Sequence, residues 1–315
     1  MADIPGKTEI QQAHERIKPF IHNTPVLTSQ SINEIAGASL FFKCENFQKT
    51  GSFKIRGAMN AVLSLDENEL RRGVVTHSSG NFAQAIAYAA KCIGIKASIV
   101  MPENVTPVKR DAVLGYGGEI IYSKNNPADR EKVCDELIKK TGASFIHPSN
   151  DIRVVTGHAS CAVELTEKIP GLDCVISPVG GGGLLSGIAA GFHHFSNSTK
   201  VYAGEPLNAD DAYRSIREGR ILPQTNPDTI ADGLRTSLGD ITFPIIQELV
   251  SEIILVTEEE IISAMRLTWE RMKIIAEPSG SVALAAALKN KKHFQNKKVG
   301  VIISGGNVDL NSLPF

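Results

Sequence analysis

The sequence predicts an α/β fold: two domains with open twisted parallel sheets flanked by helices. Three observations predict it. From Gly73 onward, short β-like runs alternate with amphipathic helical runs, the pattern of parallel sheets wound in βαβ units. Each notable polar motif falls at the carboxyl end of a predicted strand, where ligands sit in open parallel sheets. The length, 315 residues, suits two domains or one large α/β domain with ample core.

The elements follow in order. "VVTH" reads as a strand, and "NFAQAIAYAAKCIG" as a helix that ends at Gly94. "KASIVMP" is a strand, "TPVKRDAVLGYG" a helix, "EIIYS" a strand, "PADREKVCDELIKKTG" a helix and "SFIHP" a strand. The alternation resumes with helix "VVTGHASCAVELTEKIPG", strand "DCVISPVG", a glycine run, helix "LLSGIAAGFHHF" and strand "KVYAGEP". Helices "TEEEIISAMRLTWERMKII" and "PSGSVALAAALKN" precede a last strand, "KVGVIISGG". There is no repeat at a fixed period and no low-complexity linker, so the division into two domains rests on length and chemistry.

Composition excludes several classes. Apolar residues at 42% and charged residues at 21% describe an ordinary soluble globular protein. A formal net charge of −1 gives no electrostatic case for nucleic acid or an anionic membrane. "MADIPGKTEI" lacks a signal-peptide pattern, and no apolar run approaches the roughly 20 residues of a membrane span. Cys44, Cys92, Cys134, Cys161 and Cys174 are scattered and odd in number, without a CxxC pair. This argues against zinc and disulfides and for a reducing compartment, the cytoplasm by default.

Four polar loops, "HSSGN", "GGGGLLSG", "EPLNADD" and "SGGN", end four predicted strands and imply one shared cleft. In "VGGGGLLSG", Gly180, Gly181, Gly182 and Gly183 run from a strand into a helix, as a phosphate cup of backbone N–H groups would. A flexible turn is the bland reading. The spacing is not a Walker A loop, and "PGKT" at Pro5 lacks the upstream glycine and strand. "EPLNADD" alone reads first as a solvated acidic turn. As a cation site it would offer the Glu205 and Asp211 carboxylates and the Ala209 carbonyl, with Asp210 as an alternative ligand. Oxygen ligands favour Mg²⁺, Ca²⁺ or Mn²⁺. Lys54, in "TGSFKIRGA", reads on base rates as an exposed surface charge.

"TGSFKIRGA", "SSGN", "VGGGGLLSG" and "SGGNVD", in this order, resemble the fold-type II pyridoxal-5′-phosphate (PLP) enzymes of the serine/threonine dehydratase family. The resemblance covers nearly the whole chain. It implies a large PLP-binding domain of residues 1–72 and 148–315 and a small domain of residues 73–147. It makes Lys54 the lysine that bonds PLP, which requires an amine that is neutral part of the time, and a dry pocket lowers its pKa. Phe53 would pack beside the cofactor, and Arg56 would belong to local structure. Asn81 would donate to the 3′-oxygen, Gly180–Gly183 and Leu184 would hold the phosphate, and Ser304 would meet the pyridine nitrogen. Ser79 would face Lys54 across the ring, although Ser78 and Ser79 also read as caps of the next helix. Phe82 replaces the family's usual histidine, and Ser149 stands where an asparagine is frequent.

The implied activity is interconversion of L- and D-serine, with elimination to pyruvate and ammonia from the same site. The family likeness also supports the metal set Glu205, Ala209 and Asp211. It further implies a homodimer and an ATP effector at Lys49, Thr50, Gln84, Tyr116, Lys273 and Asn307. The near alternative is a dehydratase of threonine or 3-hydroxyaspartate. No regulatory domain follows "SGGNVDL", which speaks against the long biosynthetic threonine dehydratases. A non-catalytic nucleotide or amino-acid sensor is the alternative of another class. Lys54 opposes it, since a binder needs no covalent lysine. A nicotinamide dehydrogenase is weaker still.

Overall fold

The structure, a computed structural model, describes residues 2–315. Its strands are β1 (Val26–Leu27), β2 (Ser39–Cys44), β3 (Val74–His77), β4 (Ala97–Pro102), β5 (Glu119–Ser123), β6 (Ser144–Phe145), β7 (Cys174–Pro178), β8 (Lys200–Pro206), β9 (Val250–Val256) and β10 (Lys298–Ile303). They form two sheets. The larger has the order β1-β2-β10-β7-β8-β9 and is parallel except for the antiparallel β1–β2 edge. The smaller, β5-β4-β3-β6, is wholly parallel. The α/β class and parallel winding are therefore as the alternating pattern requires.

The central strands are mostly apolar and buried because helices cover both faces of a parallel sheet. All five residues of β7 are buried, as are five of the six in β10. One side chain of the Val/Leu/Ile/Phe/Met kind buried there contributes roughly 1.5–3 kcal/mol. Helix Lys54–Leu63 has a different place. Its Ile55, Ala58, Met59 and Val62 share a core with Phe82 and Ile86 of helix Asn81–Ile93 and with β3 and β4. It also packs on helix Ile152–Lys168. The helix that begins with Lys54 thus stands where the two sheet systems meet.

Three differences from the sequence reading have local causes. The strand expected over 144–148 stops at Phe145, because the His147 ring turns the chain by accepting from the Ser149 and Asn150 N–H groups. The helix expected over 257–275 is helix Glu258–Leu267 followed by a π-helical turn, Thr268–Met272, which Lys273 ends at φ +61°. The elements before Gly73, β1 and β2 among them, and β9 and helices Asp211–Glu218 and Thr242–Leu249 went unread. In β9 the exposed Ser251 and Glu252 follow Val250, so its apolar stretch is short.

Candidate active site

A cleft of about 700 Å³ opens at the carboxyl ends of β3, β7 and β10. Phe53, Lys54, Ser79, Asn81, Gly180, Gly181, Gly182, Gly183, Leu184 and Ser304 all line it. Every residue expected to catalyse or to bind cofactor thus faces one cavity. Sheet topology explains this, since successive parallel strands deliver their following loops to the same edge.

Lys54 is half-buried, and its Nζ donates to the Pro148 carbonyl at 3.0 Å. Burial lowers its pKa to about 8, against the opposing charge of Glu277. Nζ lies 4.9 Å from the Phe53 ring centroid and 5.7 Å from that of Phe82. It is therefore an amine in aromatic surroundings that loses its proton near neutrality, not a solvated surface charge. Phe82 fills its place as core, almost fully buried.

The glycine run enters helix Gly183–Phe195. Gly182 sits at φ +82°, and a Cβ there would come within 2.7 Å of Thr242 Cβ. A Cβ on Gly181 would meet Ser149 Oγ at 2.4 Å. Both positions require glycine, the first for backbone conformation and the second for space. Among the described residues, the N–H groups of Gly180 to Gly183 donate to no acceptor within the chain. Unpaired donors at a helix start, facing a cleft, suit an anion.

Asn81 is engaged by residues the sequence reading did not connect to it. Its Nδ2 donates to both carboxylate oxygens of Glu277, at 2.9 and 3.1 Å, and its Oδ1 accepts from Asn307 Nδ2 at 2.9 Å. Asn307 N donates to Glu277 Oε2, and Asn307 Nδ2 also reaches the Thr50 carbonyl. Glu277 is buried, and burial raises its pKa to about 7 against the Asn81 bond. Two groups of the cleft, Lys54 and Glu277, thus titrate near neutrality, a mark of functional sites. The only local signal for Glu277 was an acid placed before Pro278 at the start of a helix. Its partner lies 196 positions away.

His147 was also missed. Its Nδ1 accepts from Ser149 N (3.1 Å) and Asn150 N (2.8 Å), so the proton of the neutral ring sits on Nε2. Burial, with His77 and Lys54 nearby, lowers its pKa to about 4, and it stays neutral at physiological pH. Lys109 and Asp232, also lining the cleft, pair across it at 2.6 Å.

Glu205 and Asp211 converge behind β8, both buried. Glu205 accepts from Ala212 N and Tyr213 N, each at 2.8 Å, and Asp211 Oδ2 accepts from Leu238 N at 3.1 Å. Asp211 Oδ1 is buried without a partner. Burial and the neighbouring Asp211 push Glu205 well above the carboxylate range, and burial raises Asp211 to about 7. Asp210 instead pairs outward with Arg214 at 2.8 Å. Two buried carboxylates with an orphaned oxygen fit a divalent cation, with the buried Ala209 beside them. Among the described residues no set of three or more His, Cys, Asp or Glu gathers as a metal cluster.

The six residues expected at an effector site are only partly brought together. Gln84 and Asn307 line the cleft itself, and Asn307 bonds the Thr50 carbonyl, where the backbone is left-handed at φ +60°. Lys49 neighbours Thr50, whereas Tyr116 stacks edge-on against Tyr88 and Lys273 ends the π-helical turn.

A family model described as pyridoxal-phosphate dependent enzyme matches residues 17–305. The chain is 52% identical over 309 residues to serine racemase of Dictyostelium discoideum, covering 97% of this chain and 95% of that protein. The crystal structure of that racemase superimposes with a TM-score of 0.93 at 51% identity, over 96% of this chain and 98% of the other. The β-hydroxyaspartate dehydratase of Paracoccus denitrificans is 47% identical over 312 residues, 99% of both chains. The depressed Lys54 amine and the unpaired N–H groups of the glycine loop fit PLP, a phosphorylated aldehyde.

Proposed function

The chain belongs to the pyridoxal-phosphate dependent enzyme family, and from that premise we propose that it is a serine racemase that also dehydrates serine to pyruvate and ammonia. The observation that carries this reading is Lys54, an amine titrating near pH 8 in a cleft that is also lined by Gly180–Gly183, whose N–H groups have no acceptor among the described residues. The 52% identity to a serine racemase supports the choice of substrate.

When bound, PLP acidifies the α-proton of an attached amino acid. The chain's residues do the rest. Lys54 would hold the cofactor covalently and would serve as base and acid on one face of the bound amino acid. The Ser79 hydroxyl serves on the other. Removal at one face and return at the other inverts the centre, and loss of the β-hydroxyl after removal leads to elimination. Gly180–Gly183 and Leu184 would hold the phosphate through N–H groups, Ser304 would meet the ring nitrogen, and Phe53 would pack beside the ring. One N–H of Asn81 Nδ2 is shared between the two Glu277 oxygens, and its second N–H would reach the ring oxygen.

The proposal extends to Mg²⁺, or Ca²⁺ or Mn²⁺, on Glu205, Ala209 and Asp211, supported by the orphaned Asp211 oxygen. It extends to ATP at Lys49, Thr50, Gln84, Tyr116, Lys273 and Asn307, and to a homodimer. Support for an interface comes from the exposed apolar residues Phe47 and Ile275, two positions along the chain from Lys49 and Lys273, with Asn46, next to Phe47, donating to the Ile275 carbonyl. Residues 73–147 would be the small domain. Five free cysteines suit the cytoplasm. No helix among the described residues is long and apolar enough to cross a membrane.

A second reading, dehydration of 3-hydroxyaspartate, is favoured by the 47% identical dehydratase and by Arg130 in the cleft wall, a cation for a second carboxylate. Incubation with L-serine, L-threonine and L-threo-3-hydroxyaspartate, with chiral amino acids and keto acids both measured, decides. D-serine as a principal product supports the racemase; keto acid from hydroxyaspartate alone replaces it with the dehydratase.

A further inference from the structure

Two residues beyond Lys54, Arg56 is wholly buried, and all five of its N–H donors are used. Nε donates to Glu45 Oε2 at 2.7 Å, and one terminal nitrogen reaches Glu45 Oε1 (2.8 Å) and Glu164 Oε2 (2.7 Å). The other reaches Glu164 Oε1 (2.8 Å) and Ser160 Oγ (3.1 Å). Lys43 completes the set, its Nζ 2.6 Å from Glu164 and 2.8 Å from the Thr24 carbonyl. Two cations and two carboxylates balance inside the core. Such a cluster is weak evidence for stability, because well-packed apolar residues often do as well or better. What a saturated planar fork supplies is direction.

We infer that the clamp on Arg56 sets the direction in which Lys54 projects, making Arg56 a positioning residue for that lysine. The inference rests on Lys54 being the covalent lysine. A helix turns about 100° per residue, so side chains two apart point about 200° apart, on opposite sides. With Arg56 locked into the interior, Lys54 is turned to the cleft. Phe53, at the cap position, makes no side-chain cap bond, and Lys54 Nζ makes a single bond among the described residues, to the Pro148 carbonyl. The backbone there is tied by Phe53 N to the Ser304 carbonyl, Gly306 N to the Gly51 carbonyl and Arg56 N to the Phe53 carbonyl, none of which fixes the helix's rotation as a five-bond side chain does.

The next turn resists rolling as well. A Cβ on Gly57 would come within 2.4 Å of His158 Cε1, and one on Gly157 within 2.5 Å of the Arg56 carbonyl. The helix of Lys54 and helix Ile152–Lys168 therefore touch backbone to backbone. Glu164, seven residues after Gly157, lies two turns along the same face to receive Arg56. The glycine contact sets the spacing of the helices, and the arginine sets the rotation.

The test is Arg56→Lys in the full chain, which keeps the charge but loses the planar fork. Stopped-flow absorbance follows covalent capture of PLP by the apoprotein. Steady-state assays of the holoenzyme separate kcat from KM. A displacement of about 1 Å at a reacting group costs on the order of 10²-fold, so capture rate and kcat should each fall about 10–100-fold. KM should change by less than about threefold, as binding groups elsewhere are untouched. Ile10→Ala, a buried change in the N-terminal helix, serves as a control matched in Tm loss and should keep both rates. Rates within about twofold of wild type in folded Arg56→Lys overturn the inference, as does an equal fall in the control. Should Arg56→Lys not fold, Ser160→Ala removes one acceptor of the five-donor set. Slower capture then supports the clamp, and unchanged capture overturns it. Borohydride reduction and peptide mapping of the wild type separate the two readings. A label on another lysine overturns the Lys54 assignment and this inference with it, whereas a label on Lys54 with unchanged rates overturns this inference alone.

Discussion

The interior behind the lysine helix and the loops at the strand ends treat buried polar groups in opposite ways. Behind the helix, Lys43, Glu45, Arg56 and Glu164 cancel in charge and bond one another, and burial is outweighed by Arg56 and Lys43 in holding Glu164 below its usual pKa. At the strand ends the polar groups stay open. The glycine N–H groups donate to nothing, Asp211 Oδ1 has no partner, and Lys54, Glu277 and Asp211 are all drawn toward neutral pH. Charge that is closed serves the fold, and charge left open awaits a ligand or a proton.

The largest effect should separate Lys54 from its buried neighbour. Lys54→Ala should abolish racemisation and elimination yet change unfolding free energy by less than about 1 kcal/mol, since the half-buried amine it removes is in no ion pair among the described residues. Glu164→Ala should cost about 3–5 kcal/mol, because it strands the buried Lys43 and removes one of the two carboxylates that pair with Arg56. Denaturant melts beside serine assays check both. Activity in Lys54→Ala, or a stable Glu164→Ala, breaks the distinction.

Ser79→Ala sharpens it within the cleft. Racemisation should stop in both directions, since each needs both faces. L-serine dehydration should persist, while D-serine dehydration falls by about 10²–10⁴-fold. Chiral chromatography with a pyruvate assay reads each arm, and D-serine formation near the wild-type rate would return Ser79 to helix capping.

Saturating Mg²⁺ should stabilise the chain by about 2.7 kcal/mol at a hundredfold excess over Kd, and Asp211→Asn should remove most of that gain. Thermal melts with and without EDTA measure it, and identical curves would mean that the pair binds protons instead.

The smallest effect is on pH dependence. Burial raises Asp211 to about 7, well above the roughly 4 of an ordinary aspartate. Between those values the folded state holds the extra proton, so metal-free stability from this group falls as pH rises toward 7. Wild type minus Asp211→Asn, compared from pH 5 to 8 in EDTA, should show that decline, and Mg²⁺ should flatten it. A difference that grows with pH contradicts the shift.

Much of this was legible in the chain order. The exact matches of β3 to "VVTH", β5 to "EIIYS" and β8 to "KVYAGEP" follow from apolar runs bounded by polar or glycine-containing turns. The cleft-lining residues were legible because parallel strands bring their following loops to one edge, and those loops carry unusual compositions. Glu277 and His147 were not, as an acid before a proline and a histidine after an apolar run are ordinary in isolation. Their partners, Asn81 and Lys54, come from other elements.

The sequence by itself determined the α/β class, the alternation of strands and helices over most of the chain from Gly73 onward, and the set of loops from which a site would be made. Local propensity and periodicity act over a few residues, and these features need no more. Only the tertiary structure decided which charges close on one another and which remain open. Arg56 meets Glu164 across 108 positions, Asn81 meets Glu277 across 196, and Lys54 acquires its lowered pKa from walls that other elements supply. Burial and pairing are properties of the packed chain, and it is burial without pairing that turns an ordinary lysine into a reactive one.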